Sequence, residues 1–263
     1  MDVTNPATGA LLATLPVDDA ASVAAKHARL AASAWGAAPQ TLAERAAVLA
    51  AFRGLLAASG DALPVVMARE MGKPLAQGRE TVGACAYRIQ WFLDNAGALL
   101  DEERPNAAGA PGDAVRYEPA GVVGFLPAFN FPTLMLVDFL VPALLLGNTV
   151  LMKPSEHATQ TALDLAQLLY AAGVPEDALQ VVCGGPAVGA AVVAAPLDGL
   201  VFIGSTATGG KIAAAPVSPR RTVLEMGGND GFYVAPDVED VGATAVLLAT
   251  GKVRRGARGV VER

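Results

Sequence analysis

The run GVVGFLPAFNFPTLMLVDFLVPALLLGNTVLMK, residues 121–153, decides the fold class. Gly121 to Leu126 is short, apolar and β-rich, Thr133 to Leu146 is apolar over helical length, and Thr149 to Lys153 is a second apolar strand. The twenty residues from Thr133 to Met152 also have the length of a membrane span. Asp138 at their centre, Pro142, and the pair Gly147-Asn148 argue against that reading, because an acid is costly in hydrocarbon and Gly-Asn reads as a helix stop. The stretch is therefore a β–α–β unit with a buried helix.

Working outward, the same alternation continues. A helix is expected over Thr161 to Ala172, a strand over Leu179 to Cys183, and a short helix opening at Gly184-Gly185-Pro186. A strand over Leu200 to Ile203, a helix over Thr206 to Ala214, and strands over Thr222 to Glu225 and Phe232 to Ala235 follow. Solidly apolar strands alternating with helices predict a doubly wound parallel sheet, the α/β architecture that binds nucleotides. Upstream, Ala20 to Gly60 is helical in period, with Leu42, Ala46, Leu49, Phe52 and Leu56 on one face, and Glu80 to Leu100 predicts another helix. Residues 104–118, beginning with two prolines and two glycines in nine residues, read as a bridging hairpin or loop. The expected division is a unit over 1–226 and the start of a second over 227–263.

Hydrophobic residues make up 53% of 263 and charged residues 17%, enough apolar material for a sizeable core. Two cysteines and two histidines supply neither a disulfide framework nor a credible zinc site, so no metal is expected. A net charge of −6 argues against a nucleic-acid partner. The opening Met1 to Pro6 lacks a basic and apolar leader, so the expected compartment is the cytoplasm, with no membrane partner.

Three glycine turns fall where strands meet helices: Gly184-Gly185 with Gly189, Gly204-Ser205 with Gly209, and Gly227-Gly228. Helix N-termini at such turns present free N–H groups to anions. The run from Gly204 to Lys211 fails as a phosphate loop of the G-x-x-x-x-G-K-[ST] type. Five residues separate Gly204 from Gly210-Lys211, and Ile212 stands where Ser or Thr is needed.

Five segments follow one another: Gly121-Val122-Val123-Gly124, Ala128-Phe129-Asn130-Phe131-Pro132, Gly147 to Glu156, Phe202-Ile203-Gly204-Ser205, and Leu224-Glu225-Met226-Gly227-Gly228-Asn229, with Asn5-Pro6-Ala7-Thr8-Gly9 and Glu70-Met71-Gly72-Lys73-Pro74 upstream. In that order and spacing the chain resembles the aldehyde dehydrogenase superfamily, from about residue 3 to about 240. The resemblance implies oxidation of a small-molecule aldehyde to an acid with NAD or NADP, through a cysteine thiolate. It implies that Asn130 stabilises the oxyanion, Glu225 is the general base for deacylation, and Lys153 with Glu156 holds the adenosine ribose. Glu156 would repel a 2′-phosphate, which favours NAD. Gly204, Ser205 and Gly209 would form the pyrophosphate turn, Gly185 would pack beside the adenine, and Phe129 stands where many members carry Trp. A homo-oligomer is the family's habit.

The family's nucleophile, in Gly-Gln-x-Cys some thirty residues beyond the base, has no counterpart here. No cysteine follows Cys183, and the place is taken by Gly256 to Arg263. Residues 251–263 carry five Lys or Arg against one Glu, a basic reversal within an acidic chain. Cys85 and Cys183 are expected to be buried and inert. A truncated or frame-shifted, inactive copy retaining the cofactor unit is the expectation. A non-catalytic NAD-binding or subunit-pairing protein, and a P-loop-like phosphate binder, are the alternatives.

Overall fold

The computed structural model describes residues 1–37, 40–103, 114–215, 221–228 and 231–253. The chain opens with an antiparallel hairpin, β1 (Asp2–Thr4) with β2 (Leu11–Thr14). Its turn is the Asn5–Gly9 motif: the Asn5 side-chain oxygen accepts from the N–H groups of Ala7 (2.9 Å) and Thr8 (3.1 Å).

Four helices follow: α1 (Ala20–Ala31), α2 (Leu42–Ala58), α3 (Ala62–Met71) and α4 (Leu75–Leu100). The first two begin at capping boxes, Asp19 with Ser22 and Thr41 with Glu44. Leu49, Phe52 and Leu56 of α2 are buried, as the period predicts. α4 starts five residues before the expected Glu80, directly after Pro74, which sets an extended entry and lets the helix begin at once. Glu103 pairs with Val115 across residues 104–113, which lie outside the described residues.

The second half alternates as expected: β3 (Val122–Leu126), α5 (Pro132–Leu145), β4 (Thr149–Met152), α6 (Thr159–Ala171), β5 (Leu179–Val181), α7 (Pro186–Ala194), β6 (Gly199–Gly204), α8 (Thr206–Ala213) and β7 (Arg221–Met226). The strands form one parallel sheet in the order β5-β4-β3-β6-β7. Period-2 alternation splits the core between its faces. Phe125, Val150 and Met152 join Leu49 and Phe52 of α2 and Leu140 of α5 on one side. Val122, Leu151, Leu200 and Phe202 meet Val23 and Leu30 of α1 and Val188 and Val192 of α7 on the other.

α5 is 14 residues long, and Asp138 lies 3.6 Å from the Arg88 guanidinium. Among the described residues no single helix is long and apolar enough to cross a membrane; α2 and α3 reach that length only together, across a 73° bend. One expected strand is absent. Phe232 to Ala235 forms no strand, and Phe232 (62%) and Tyr233 (85%) stand exposed, because among the described residues no neighbouring strand offers them a ladder. A last helix, α9 (Val241–Val253), follows, and the basic run from Arg254 onward lies outside the described residues.

Candidate functional site

The strand order reverses between β3 and β6: one half of the sheet grows outward through β4 and β5, the other through β7. The loops leaving the carboxyl ends of two such strands diverge to opposite faces and leave a crevice. A cleft of about 1460 Å³ occupies that position. Its walls are Leu126 to Asn130 after β3, Lys153 and Ser155 to His157 after β4, the α7 surface, Gly204 to Thr206 after β6, and Glu225 to Gly228 at the end of β7.

Seven of the nine residues singled out in the sequence line this cleft: Phe129, Asn130, Lys153, Glu156, Gly204, Ser205 and Glu225. Gly185 and Gly209 do not. Gly185 is the N-cap of α7, and the following residue Pro186 reaches the cleft in its place. Gly209 serves packing, since a Cβ there would lie 2.5 Å from the Met226 sulfur, so its absence lets the end of β7 close onto α8. Gly204 also yields to a neighbour, the Phe202 ring, which a Cβ would strike; Phe202 in turn forms part of the cleft wall.

The loop after β4 holds the cleft's most buried charge. The Lys153 side chain is 7% exposed, its Nζ donates to the Pro154 carbonyl at 2.7 Å, and it lies 3.6 Å from the Glu156 carboxylate. Burial pushes the ammonium below the usual lysine range, and Glu156 pulls it partly back. Gly189, one turn into α7, faces the Lys153 stem across a distance a Cβ would bridge at 3.6 Å.

After β3, Pro132 opens α5 and presents Asn130 on the preceding turn. The Asn130 side-chain oxygen is buried without a hydrogen-bond partner in the protein. Buried amide oxygens are normally paired, so this one is available to a ligand. The Asn130 carbonyl accepts from Lys73 Nζ at 3.2 Å, and that ammonium sits 4.0 Å from the Phe131 ring centroid. Lys73, from the Glu70–Pro74 motif, supports the site from outside the cleft, and only tertiary contact reveals it. The Phe129 ring meets His157 edge-on, centroids 5.4 Å apart, joining the loops after β3 and β4.

After β6, Ser205 caps α8, its hydroxyl accepting from the Thr208 N–H at 3.2 Å. Glu225, paired in register with Ile203, stands exposed at the rim. Neither cysteine is a candidate nucleophile. Burial pushes the Cys85 thiol up to about 12, and burial and then Asp18 raise Cys183. Among the described residues no three His, Cys, Asp or Glu side chains gather as a metal site.

The Aldehyde dehydrogenase family model matches residues 1–256. The chain is 37% identical to the 3,6-anhydro-alpha-L-galactose dehydrogenase of Streptomyces coelicolor, across 96% of its own length and 53% of that protein's. A crystal structure of an E. coli NADP dependent enzyme superposes with a TM-score of 0.87 at 32% identity, over 98% of this chain and 54% of that one. PnpE, solved in complex with nicotinamide adenine dinucleotide, superposes at 0.80 with 29% identity, over 87% and 47%. The chain spans about half the length of the curated relatives it matches.

Proposed function

Because the chain belongs to the aldehyde dehydrogenase family, we propose that residues 1–226 bind a nicotinamide dinucleotide in the cleft between β3 and β6, and that NAD is preferred to NADP. The cleft itself carries this reading: about 1460 Å³ exceeds the roughly 300–1,000 Å³ of a pocket for a drug-sized molecule, which suits a ligand with two nucleotides. The donor set suits it as well. The first turn of α8 offers N–H groups and a positive dipole end to a pyrophosphate, with Ser205 ordering that turn. Lys153 donates to ribose hydroxyls and Glu156 accepts from them, and the Glu156 carboxylate opposes a 2′-phosphate.

When bound, the dinucleotide supplies a hydride acceptor. The chain's own part in aldehyde oxidation is electrostatic and protolytic. The Asn130 amide donates to the aldehyde oxygen as negative charge develops there, and Glu225 takes a proton from the water that releases the acid. The family's covalent step needs a thiolate, and these 263 residues offer only two buried thiols raised above their ordinary range. Dinucleotide binding is therefore the activity proposed for this stretch. Oxidation of an aldehyde is proposed for a protein that adds the nucleophile. A non-catalytic NAD-binding role is the second reading, favoured by that same lack of a usable thiol.

Titration calorimetry of the 263-residue chain tests the reading. The expected result is NAD⁺ binding with a dissociation constant on the order of 10–100 μM, weaker NADP⁺ binding, and no NADH formation at 340 nm with small aldehydes. Absence of NAD⁺ binding, or tighter binding of ATP than of NAD⁺, overturns it. Steady aldehyde-dependent NADH production would overturn the claim that the thiol chemistry is missing.

A further inference from the structure

The motif Glu70-Met71-Gly72-Lys73-Pro74 lies outside the cleft, yet Glu70 is 1% exposed and Lys73 2% exposed. A carboxylate this deep is expensive to bury unless its hydrogen bonds are met. Glu70, the penultimate residue of α3, meets them at the start of α6. It accepts from the Gln160 N–H at 2.7 Å, the Thr161 N–H at 2.9 Å and the Thr161 hydroxyl at 2.7 Å. Those two N–H groups belong to the first turn of α6, where a helix has no internal acceptors, and the local N-cap, Ala158, has no side chain to serve them. Glu70 thus caps α6 from another element, with a negative charge at the positive end of the helix dipole.

The capped turn leads back to the cleft. The loop between β4 and α6 is residues 153–158, and it hangs on the start of α6. The Ser155 carbonyl accepts from both the Ala158 N–H and the Thr159 hydroxyl, each at 3.0 Å. Lys153 and Glu156 stand in this loop and line the cleft. We propose that Glu70 is a positioning residue for dinucleotide binding, holding Lys153 and Glu156 in place through the first turn of α6. The proposal rests on the cofactor reading above and adds a residue that touches neither cleft nor ligand.

The test compares Glu70→Gln with Asn148→Ala in the 263-residue chain, the latter removing buried hydrogen bonds away from the cleft. A Gln amide presents N–H where Glu70 now accepts, so the α6 turn loses acceptors. Calorimetry with NAD⁺, and with AMP as a probe of the adenosine ribose, should show E70Q weakened about tenfold for both. N148A should lose comparable thermal stability and keep both affinities within about twofold. If E70Q fails to fold, Thr161→Val removes one of the three bonds, and about threefold weakening is expected. Equal affinities of wild type and the Glu70 or Thr161 variant, despite a lower melting temperature, overturn the positioning role. Wild-type chain that binds neither NAD⁺ nor AMP instead overturns the cofactor reading itself.

Discussion

Lys153 carries the conflict between stability and function in a single side chain. Its ammonium is nearly out of solvent and compensated by one carbonyl and by a carboxylate 3.6 Å away whose side chain is 39% exposed. A half-solvated partner cannot offset the whole desolvation cost. Lys153→Met keeps the stem and removes the charge, leaving Glu156 to water. The variant should melt a few degrees higher than wild type while binding NAD⁺ at least tenfold more weakly, measured by calorimetry on both chains. The sign with pH follows from the depressed ammonium. The unfolded chain binds the extra proton, so the penalty is full at neutral pH and eases as pH rises toward the ordinary lysine range. The melting gap between variant and wild type should accordingly narrow from pH 7 to 9.5. That Lys153 and Glu156 form a pair was implied by the family resemblance. That one is buried and the other half-exposed was not, because burial depends on α7 lying over the lysine stem.

At the scale of the element, Asn148 shows how a stop signal becomes a joint. The Gly147-Asn148 pair ends α5 where the sequence predicts. The Asn148 side chain then accepts from the Ala120 N–H at 2.6 Å and the Gly121 N–H at 3.3 Å, and donates to the Ala143 carbonyl at 3.1 Å. It ties the end of α5 to the entry of β3 at the amino ends of the strands, on the side of the sheet away from the cleft. Asn148→Ala takes the acceptor from the part-buried Ala120 and Gly121 N–H groups and should cost roughly 1–3 kcal/mol in a urea melt. Element existence was legible across the parallel half, where short, mainly apolar strands alternate with helices and glycines mark several of the turns. It failed at the hairpin of β1 and β2, strands of three and four residues, too short to show a period. It failed again at Phe232 to Ala235, where β-propensity is high and none of the described residues pairs with the segment.

At the scale of the molecule, the finished and unfinished surfaces differ. Both faces of the sheet are covered, yet beyond β6 the apolar surface is open: Val223 is 48% exposed, Val246 66% and Leu247 64%. An edge strand followed by an apolar helix without a cover favours association. The 263-residue chain should bind the dye ANS and scatter light increasingly with concentration. A Val246→Lys, Leu247→Lys double variant should reduce both signals by about half without lowering the melting temperature, because neither side chain is in the core. A dye-negative, monodisperse wild-type chain would contradict this.

Local pattern by itself determined the alternation of strands and helices and the parallel sheet, since period and glycine punctuation are properties of neighbouring residues; the choice of most cleft residues came from the resemblance of ordered segments to a known family. Tertiary structure alone decided which glycines face the cleft, as opposed to a packed side chain, how Lys153 is desolvated, and that Glu70, ninety residues from the helix it caps, belongs to the site. Those depend on which surfaces of elements far apart in the chain meet in the fold, and no local period encodes that meeting.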